Sequence, residues 1–191
     1  MPENRQPKYY ILESRCPNRM LLYEPLNPSL GDTWFGGRRF QKQPREPVVV
    51  RIQPNNENGE LLPYFGRATL MRSDFYEALR SAGVDNLDVY EAIIQSKDGL
   101  ITHQGYKAFN VIGLVRAADV NRTIFNDPPA TRLIDASIKT LEIDPTKAKG
   151  LLMFRLAEYV GAVVVHEKVK EVLEGKQFRW VIFTDPGAYI S

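Results

Sequence analysis

His166 and Glu167 open a segment whose apolar residues recur at helical spacing, and together they match the start of a zinc-protease helix. That motif needs a second histidine four positions after the first, and Lys170 stands there, so no zinc site is specified. His103, the other histidine, reads like His166 as a hydrogen-bonded or solvent-facing side chain, and no metal is expected. Cys16 sits beside Pro17 in turn-forming sequence, with no CxxC partner and no nearby histidine to act as a base. The stretch GDTWFGG from Gly31 to Gly37 has the glycines of a phosphate cradle, yet it lacks the Lys and Ser/Thr that hold phosphate and metal in a P-loop. Asp119, Asp127, Asp135 and Asp144 occupy turn-like positions, where aspartate serves the backbone. Paired acid-base catalysis would require two of them to converge in space. The residues specify no catalytic group and no cofactor site.

The residue types best suited to recognition lie between Trp34 and Arg45: Trp34, Phe35, Arg38, Arg39, Phe40, Lys42 and Arg45. Buried aromatic and arginine anchors dominate protein interfaces, each contributing about 2 kcal/mol or more. The same composition can stack bases and neutralise phosphates. It can also fold back, with the rings covering a sheet and the cations solvated. Tyr64-Phe65 is a second aromatic pair in a loop with the same three readings.

The elements that must position these residues follow from periodicity. Lys8 to Glu13 and Arg19 to Tyr23 read as strands, separated by a turn at Cys16-Pro17-Asn18. From Glu24 to Pro47 four prolines and three glycines exclude long regular elements, leaving a loop long enough to be either mobile or functional. Pro47 to Gln53 is a strand, and Asn58-Gly59 a turn of hairpin type. Ala68 to Met71 leads into a helix capped by Ser73, with Phe75, Ala78, Leu79 and Ala82 as its apolar stripe and Gly83 as its stop. Leu87 to Gln95 and Tyr106 to Val115 contain further strands, Asp127-Pro128-Pro129 breaks the chain, and Thr131 to Ile143 gives one or two more. After Leu151 to Leu156, Ala162 to Val165 is a β-branched strand. Val169, Val172 and Leu173 then form a helical stripe, Gly175 stops it, and Phe178, Trp180 and Ile182 restart a strand.

The segment from Ala68 can be laid over the segment from Ala162. Phe75 then faces Val169, Glu77 faces Glu171, Ala78 faces Val172 and Leu79 faces Leu173, with the second helix two residues shorter at its glycine. This is the pattern of a strand-helix-strand pseudo-repeat, although any two amphipathic units look alike at this length. With strands outnumbering two short amphipathic helices, the expected class is α+β with a mixed or mostly antiparallel sheet. We expect one domain over 1–191; lobes at 1–127 and 130–191 would put one copy in each half.

Composition bounds the rest. At 191 residues, folding buries about 70% of the unfolded chain's surface, so no disulfide is required. A single cysteine fits a reducing compartment, and the first residues lack a basic-then-apolar signal sequence, so a cytoplasmic protein without a membrane partner is expected. The net charge of +2, from 25 basic and 23 acidic residues, provides no general field for nucleic acid.

A Leu-Pro turn with aromatics (Leu61-Leu62-Pro63-Tyr64-Phe65) precedes a short strand and the Ser73-capped helix. Tyr106, Asn110 and Val111 form a Tyr-x-x-x-Asn-Val strand with Asp119 beyond it. Phe154-Arg155, the valine-rich strand and a terminal strand ending on Phe183 follow. This order, from about Tyr9 to Phe183, resembles the bacterial immunity-protein family numbered eleven among the immunity domains of polymorphic-toxin systems. The family turn carries Asp where this chain has Tyr64, so no role of that carboxylate transfers. The resemblance implies a cytoplasmic protein, encoded beside a secreted toxin and often a type VI secretion effector, that protects its cell by binding that toxin. No catalytic residue or cofactor comes with it. A nucleic-acid-binding module and a small enzyme with converging carboxylates are the alternatives.

Overall fold

The structure, a computed structural model, describes residues 6–126 and 136–189. The fold is α+β, with two five-stranded mixed sheets whose pairings are mostly antiparallel, and two helices. The first sheet runs β12 (Val181–Thr184), β1 (Tyr9–Ser14), β11 (Val163–His166), β10 (Met153–Leu156), β7 (Leu114–Val115). The second runs β2 (Val48–Arg51), β5 (Leu87–Gln95), β6 (Thr102–Val111), β4 (Leu70–Arg72), β3 (Tyr64–Phe65). A ribbon of β8 (Ile124–Phe125) and β9 (Ile138–Thr140) lies apart. The two parallel pairs, β2 with β5 and β7 with β10, lie at opposite ends of their sheets from β3 and β12.

Helix α1 (Ser73–Ser81) leaves β4 and returns as β5, with β6 antiparallel between them. Helix α2 (Glu167–Gly175) leaves β11 and returns as β12, with β1 antiparallel between them. Each unit is therefore a split β-α-β. Each is preceded by an antiparallel partner strand, β3 for the first and β10 for the second. The central strand comes from the following segment in one copy and from the N-terminal segment in the other.

The helices are equal in length, nine residues each, which corrects the expected shortening of the second. Their caps also correspond: Arg72 and His166 have φ −69 with ψ 149 and 152. Ser73 is thus the first helical residue rather than the cap, and its hydroxyl donates to the Gly105 carbonyl at 3.1 Å. After the cap residues Ala82 and Lys176, the left-handed positions are Gly83 at φ +94 and Gln177 at φ +54. Gly175 is the last helical residue, not the stop. A side chain in the left-handed region costs about 1 kcal/mol or more that glycine does not. Gln177→Gly is therefore expected to raise unfolding free energy by about 0.5–1 kcal/mol, read by urea titration.

Both helices share one core with the inner faces of both sheets. Phe75, Leu79, Val169 and Leu173 meet Met71 and Phe109 from the second sheet and Leu12, Val163 and Val165 from the first. Val164 points the other way, into a second cluster with Tyr9, Ile11, Phe154 and Leu156. Two buried faces explain why this strand reads as an unbroken valine run. Ala117, Ala118, Ile138, Leu141 and Ile143 cover that outer face. The outer face of the second sheet, formed by Leu70, Tyr90, Ala92, Ile94, Tyr106 and Ala108, is covered by Cys16, Met20, Trp34 and Phe40.

Several boundaries move. Arg19 to Tyr23 forms only isolated bridges, Arg19 to Glu60 and Leu22 to Ile52, along the second sheet. The strand expected over Tyr106 to Val115 is two, β6 and β7, divided by Gly113 at φ +143. β12 begins only after Trp180, whose φ of +72 turns the chain. The sheets do not divide at the suggested lobes, because β1 and β7 join the sheet of the C-terminal strands. The break at Asp127-Pro128-Pro129 and the segment from Thr131 to Asp135 lie outside the described residues. No helix among the described residues is long and apolar enough to cross a membrane.

Candidate functional site

The loop from Glu24 to Pro47 has an ordered, heavily bonded conformation. Asp32 is its hub: its carboxylate accepts from Ser29 Oγ at 2.5 Å and from the amides of Gln41 at 3.1 Å and Lys42 at 3.3 Å. The Ser29 hydrogen bond and then the Gln41 amide hold its pKa below the ordinary aspartate value. In GDTWFGG, then, the acid binds the loop's own donors, where a phosphate cradle would turn such donors toward a ligand. Gly37 fixes the loop to the sheet by accepting from Gly113 N–H at 2.8 Å. Its φ is +66, and an added Cβ would lie 2.6 Å from the Leu114 nitrogen, so only glycine fits this crossing. Asn110 Nδ2 donates to the Arg38 carbonyl at 2.7 Å, and Arg39 pairs with Asp88 at 2.9 Å.

This network sorts the expected site residues by burial. Trp34 is 1% exposed, packed edge-on against Phe40 at 4.8 Å and Tyr90 at 5.9 Å, with its indole donating to the Leu26 carbonyl at 3.0 Å. Phe40 is buried beside it. Phe35 is half-buried under the Arg155 guanidinium, 4.6 Å from the ring centroid. Tyr64 is buried between Phe75 and Phe109, 5.5 and 5.7 Å away. Trp34 and Phe40 are thus core residues that cover the apolar outer face of the second sheet, and Tyr64, in β3, belongs to the core shared with the helices, so none of the three is a surface anchor. Arg38, Arg39, Lys42 and Arg45 are exposed. Arg38 donates to the Gly31 carbonyl at 2.8 Å, while Lys42 and Arg45 make no side-chain ion pair among the described residues.

The surface carries apolar groups that the aromatic count overlooked. Leu26 is 89% and Leu30 101% exposed, with Tyr23 and Leu21 partly exposed before them. The Trp34 indole holds the backbone of Leu26, and Arg38 holds the residue after Leu30. Two bare leucines and the basic cluster therefore belong to one structured loop. The sequence carried a sign of this: Pro25 and Pro28 keep both leucines out of any regular element that would bury them.

The other chemistry-bearing residues are accounted for locally. His166 caps α2, its Nδ1 accepting from Lys168 N–H at 3.1 Å, and burial lowers its pKa below the ordinary histidine value. Because the folded state favours neutral imidazole, its contribution is complete above about pH 6.5 and is lost as pH falls through the folded pKa. His166→Ala is expected to cost about 1 kcal/mol at pH 8 and progressively less in acid, measured by denaturation across pH. Cys16 is buried and free. Asp119 accepts from Asn121 N–H at 3.0 Å, and Asp144 from Thr146 N–H at 3.0 Å and Oγ1 at 2.6 Å, as turn carboxylates do. Asp127 and Asp135 lie outside the described residues.

Two carboxyls have opposed shifts. Burial raises the pKa of Glu158, and Thr146 lowers that of Asp144, with Lys147 acting on both. Neither lines the 420 Å³ cleft between the sheets or the 270 Å³ pocket beside Tyr9. Arg155 is fully buried, its Nη1 donating to the Val160 carbonyl at 3.0 Å, and burial pushes its pKa down to about 10.

Neither protein-family models nor curated proteins gave a match to this chain.

Proposed function

We propose that this chain is an immunity protein: a cytoplasmic binding protein that neutralises a cognate secreted bacterial toxin, such as a type VI secretion effector, through the loop from Leu21 to Arg45. The observation that carries this reading is the exposure of Leu26 and Leu30 on the same loop as four exposed cations, a loop held by part-buried hydrogen bonds. A structured loop loses little conformational entropy on docking, and exposed leucines offer apolar area that a partner can cover. A stable complex would bury about 800 Å² on each side. The basic cluster calls for an acidic epitope on the toxin. The order of segments that resembles the immunity family supports the same role.

Lys42→Glu with Arg45→Glu is the cleaner test of charge, because neither residue has an ion pair to lose among the described residues. The double reversal is expected to slow toxin association about tenfold or more at low salt, with the difference shrinking at high salt. Equal association rates at low salt would sink the acidic-epitope idea. The role itself is tested by co-expressing this chain with the toxic C-terminal region encoded by the adjacent gene. Relief of toxicity with co-purification of the pair supports it. Relief without a complex would replace it with a protective enzyme, and no relief would reject it for that toxin.

A nucleic-acid module is disfavoured by burial: Trp34 and Phe40, the rings that would stack on bases, are in the core, and Phe35 lies under Arg155. Salt-sensitive retention on unrelated DNA would reopen that alternative.

A further inference from the structure

A second site is separate from the loop. The cleft of about 420 Å³ opens between the sheets, bounded by the end of β1, segment 19–22, segment 62–68 and the turn from Tyr159 to Ala162. Its volume lies in the range of small-ligand pockets, roughly 300–1,000 Å³. The deeper wall is apolar, with Leu12, Leu62 and Ala162 all buried. The polar groups on the remaining wall are mostly donors. Tyr64 is 1% exposed and its hydroxyl has no hydrogen-bond partner among the described residues. That hydroxyl lies at Gly66, where an added Cβ would come within 3.2 Å of it. Ser14 Oγ is likewise enclosed, with no partner among the described residues. Tyr159 and Tyr189 pack together at 6.1 Å along the same cleft.

Two cations complete the lining. Arg19 and Arg67 are exposed and make no ion pair among the described residues. The one acid there, Glu13, is already engaged, accepting from Thr184 Oγ1 and pairing with Arg15 at 3.6 Å. Buried polar groups without partners are uncommon, because each costs about 1–3 kcal/mol. With two guanidiniums that make no ion pair among the described residues and one carboxylate already engaged, the charged lining is net positive above an apolar floor.

The geometry points to this cleft as a binding site for a carboxylate with an apolar body, the carboxylate meeting Arg19, Arg67 and the Tyr64 hydroxyl and the body lying on Leu12, Leu62 and Ala162. Burial raises the pKa of Tyr64 and Tyr189, so both stay protonated and able to donate at neutral pH. The carboxylate can belong to a small organic acid or to the C-terminus of a polypeptide, and both present the same group.

The test titrates the full-length protein by calorimetry with octanoate and octanamide, and with a leucine-terminated hexapeptide as free acid and as C-terminal amide. At least one free acid is expected to saturate one site, with its amide about tenfold weaker or more, as loss of charge-assisted hydrogen bonds dictates. Octanoate binding alone assigns the site to small acids, and peptide binding alone assigns it to a chain terminus. Arg19→Gln with Arg67→Gln should weaken the acid about tenfold and leave the amide unchanged. Tyr64→Phe, which removes only the hydroxyl, should weaken it about fivefold with the melting temperature retained. Leu26→Asp, outside the cleft, should leave acid binding intact. Saturation by neither acid, equal binding of acid and amide, or indifference to the double arginine variant would each overturn the assignment.

Discussion

Trp34→Ala is expected to lower the free energy of unfolding by about 3–5 kcal/mol, the range for removing a large aromatic side chain from a packed core. The ring is 1% exposed and completes an aromatic cluster with Phe40 and Tyr90 over the outer face of the second sheet. Collapse is opposed by the ties of the loop to the sheet just after the ring, where Gly37 accepts from Gly113 and Arg38 from Asn110. Trp34→Phe should recover much of the packing but leave the Leu26 carbonyl without its indole donor, a loss of about 1 kcal/mol. Guanidinium titration of the three proteins measures both steps. A loss below about 1 kcal/mol for the alanine variant would show that the loop does not cover the sheet as described.

The complementary experiment is the double variant Leu26→Asp with Leu30→Asp. Both side chains face solvent, so stability should stay within about 0.5 kcal/mol of the parent. Toxin binding should weaken about 100-fold or more, since anchors at an interface centre each contribute about 2 kcal/mol and a buried, unpaired carboxylate adds a desolvation cost. The two variants separate the loop's jobs: Trp34 holds it in place, and the leucines present it. If the leucine variant bound and protected as the parent does, the interface would lie elsewhere, and the cleft between the sheets would be the next surface to map.

The two split β-α-β units show how far local sequence carries. The apolar stripes at Phe75, Ala78 and Leu79 and at Val169 and Leu173 placed both helices, since a 3.6-residue period is a property of the segment itself. The alignment of Ala68 with Ala162 also matched the two helices residue for residue, cap to cap. Its misplaced stop came from reading Gly175 as the left-handed residue, when tertiary packing put that strain on Gln177. Neighbours in the sheets were not legible in the same way. That β1 would sit between β11 and β12, about 150 residues or more along the chain, depends on long-range pairing that no local period encodes.

The candidate site divides along the same line. By itself the sequence determined a long loop without regular structure, rich in aromatic and basic residues, in a chain with no complete catalytic or metal motif. It also determined the α+β class, because helical and strand periods are written in adjacent residues. Only the tertiary structure decided which side of that loop faces out. The aromatics went inward because the second sheet had an uncovered apolar face, and burying rings there removes more apolar surface from water than burying leucines held on a proline-broken turn. Leu26, Leu30 and the cations were thereby left for a partner. The unpartnered donors of the cleft are likewise a product of assembly, since Ser14, Tyr64 and Arg67 become neighbours only when the two sheets meet.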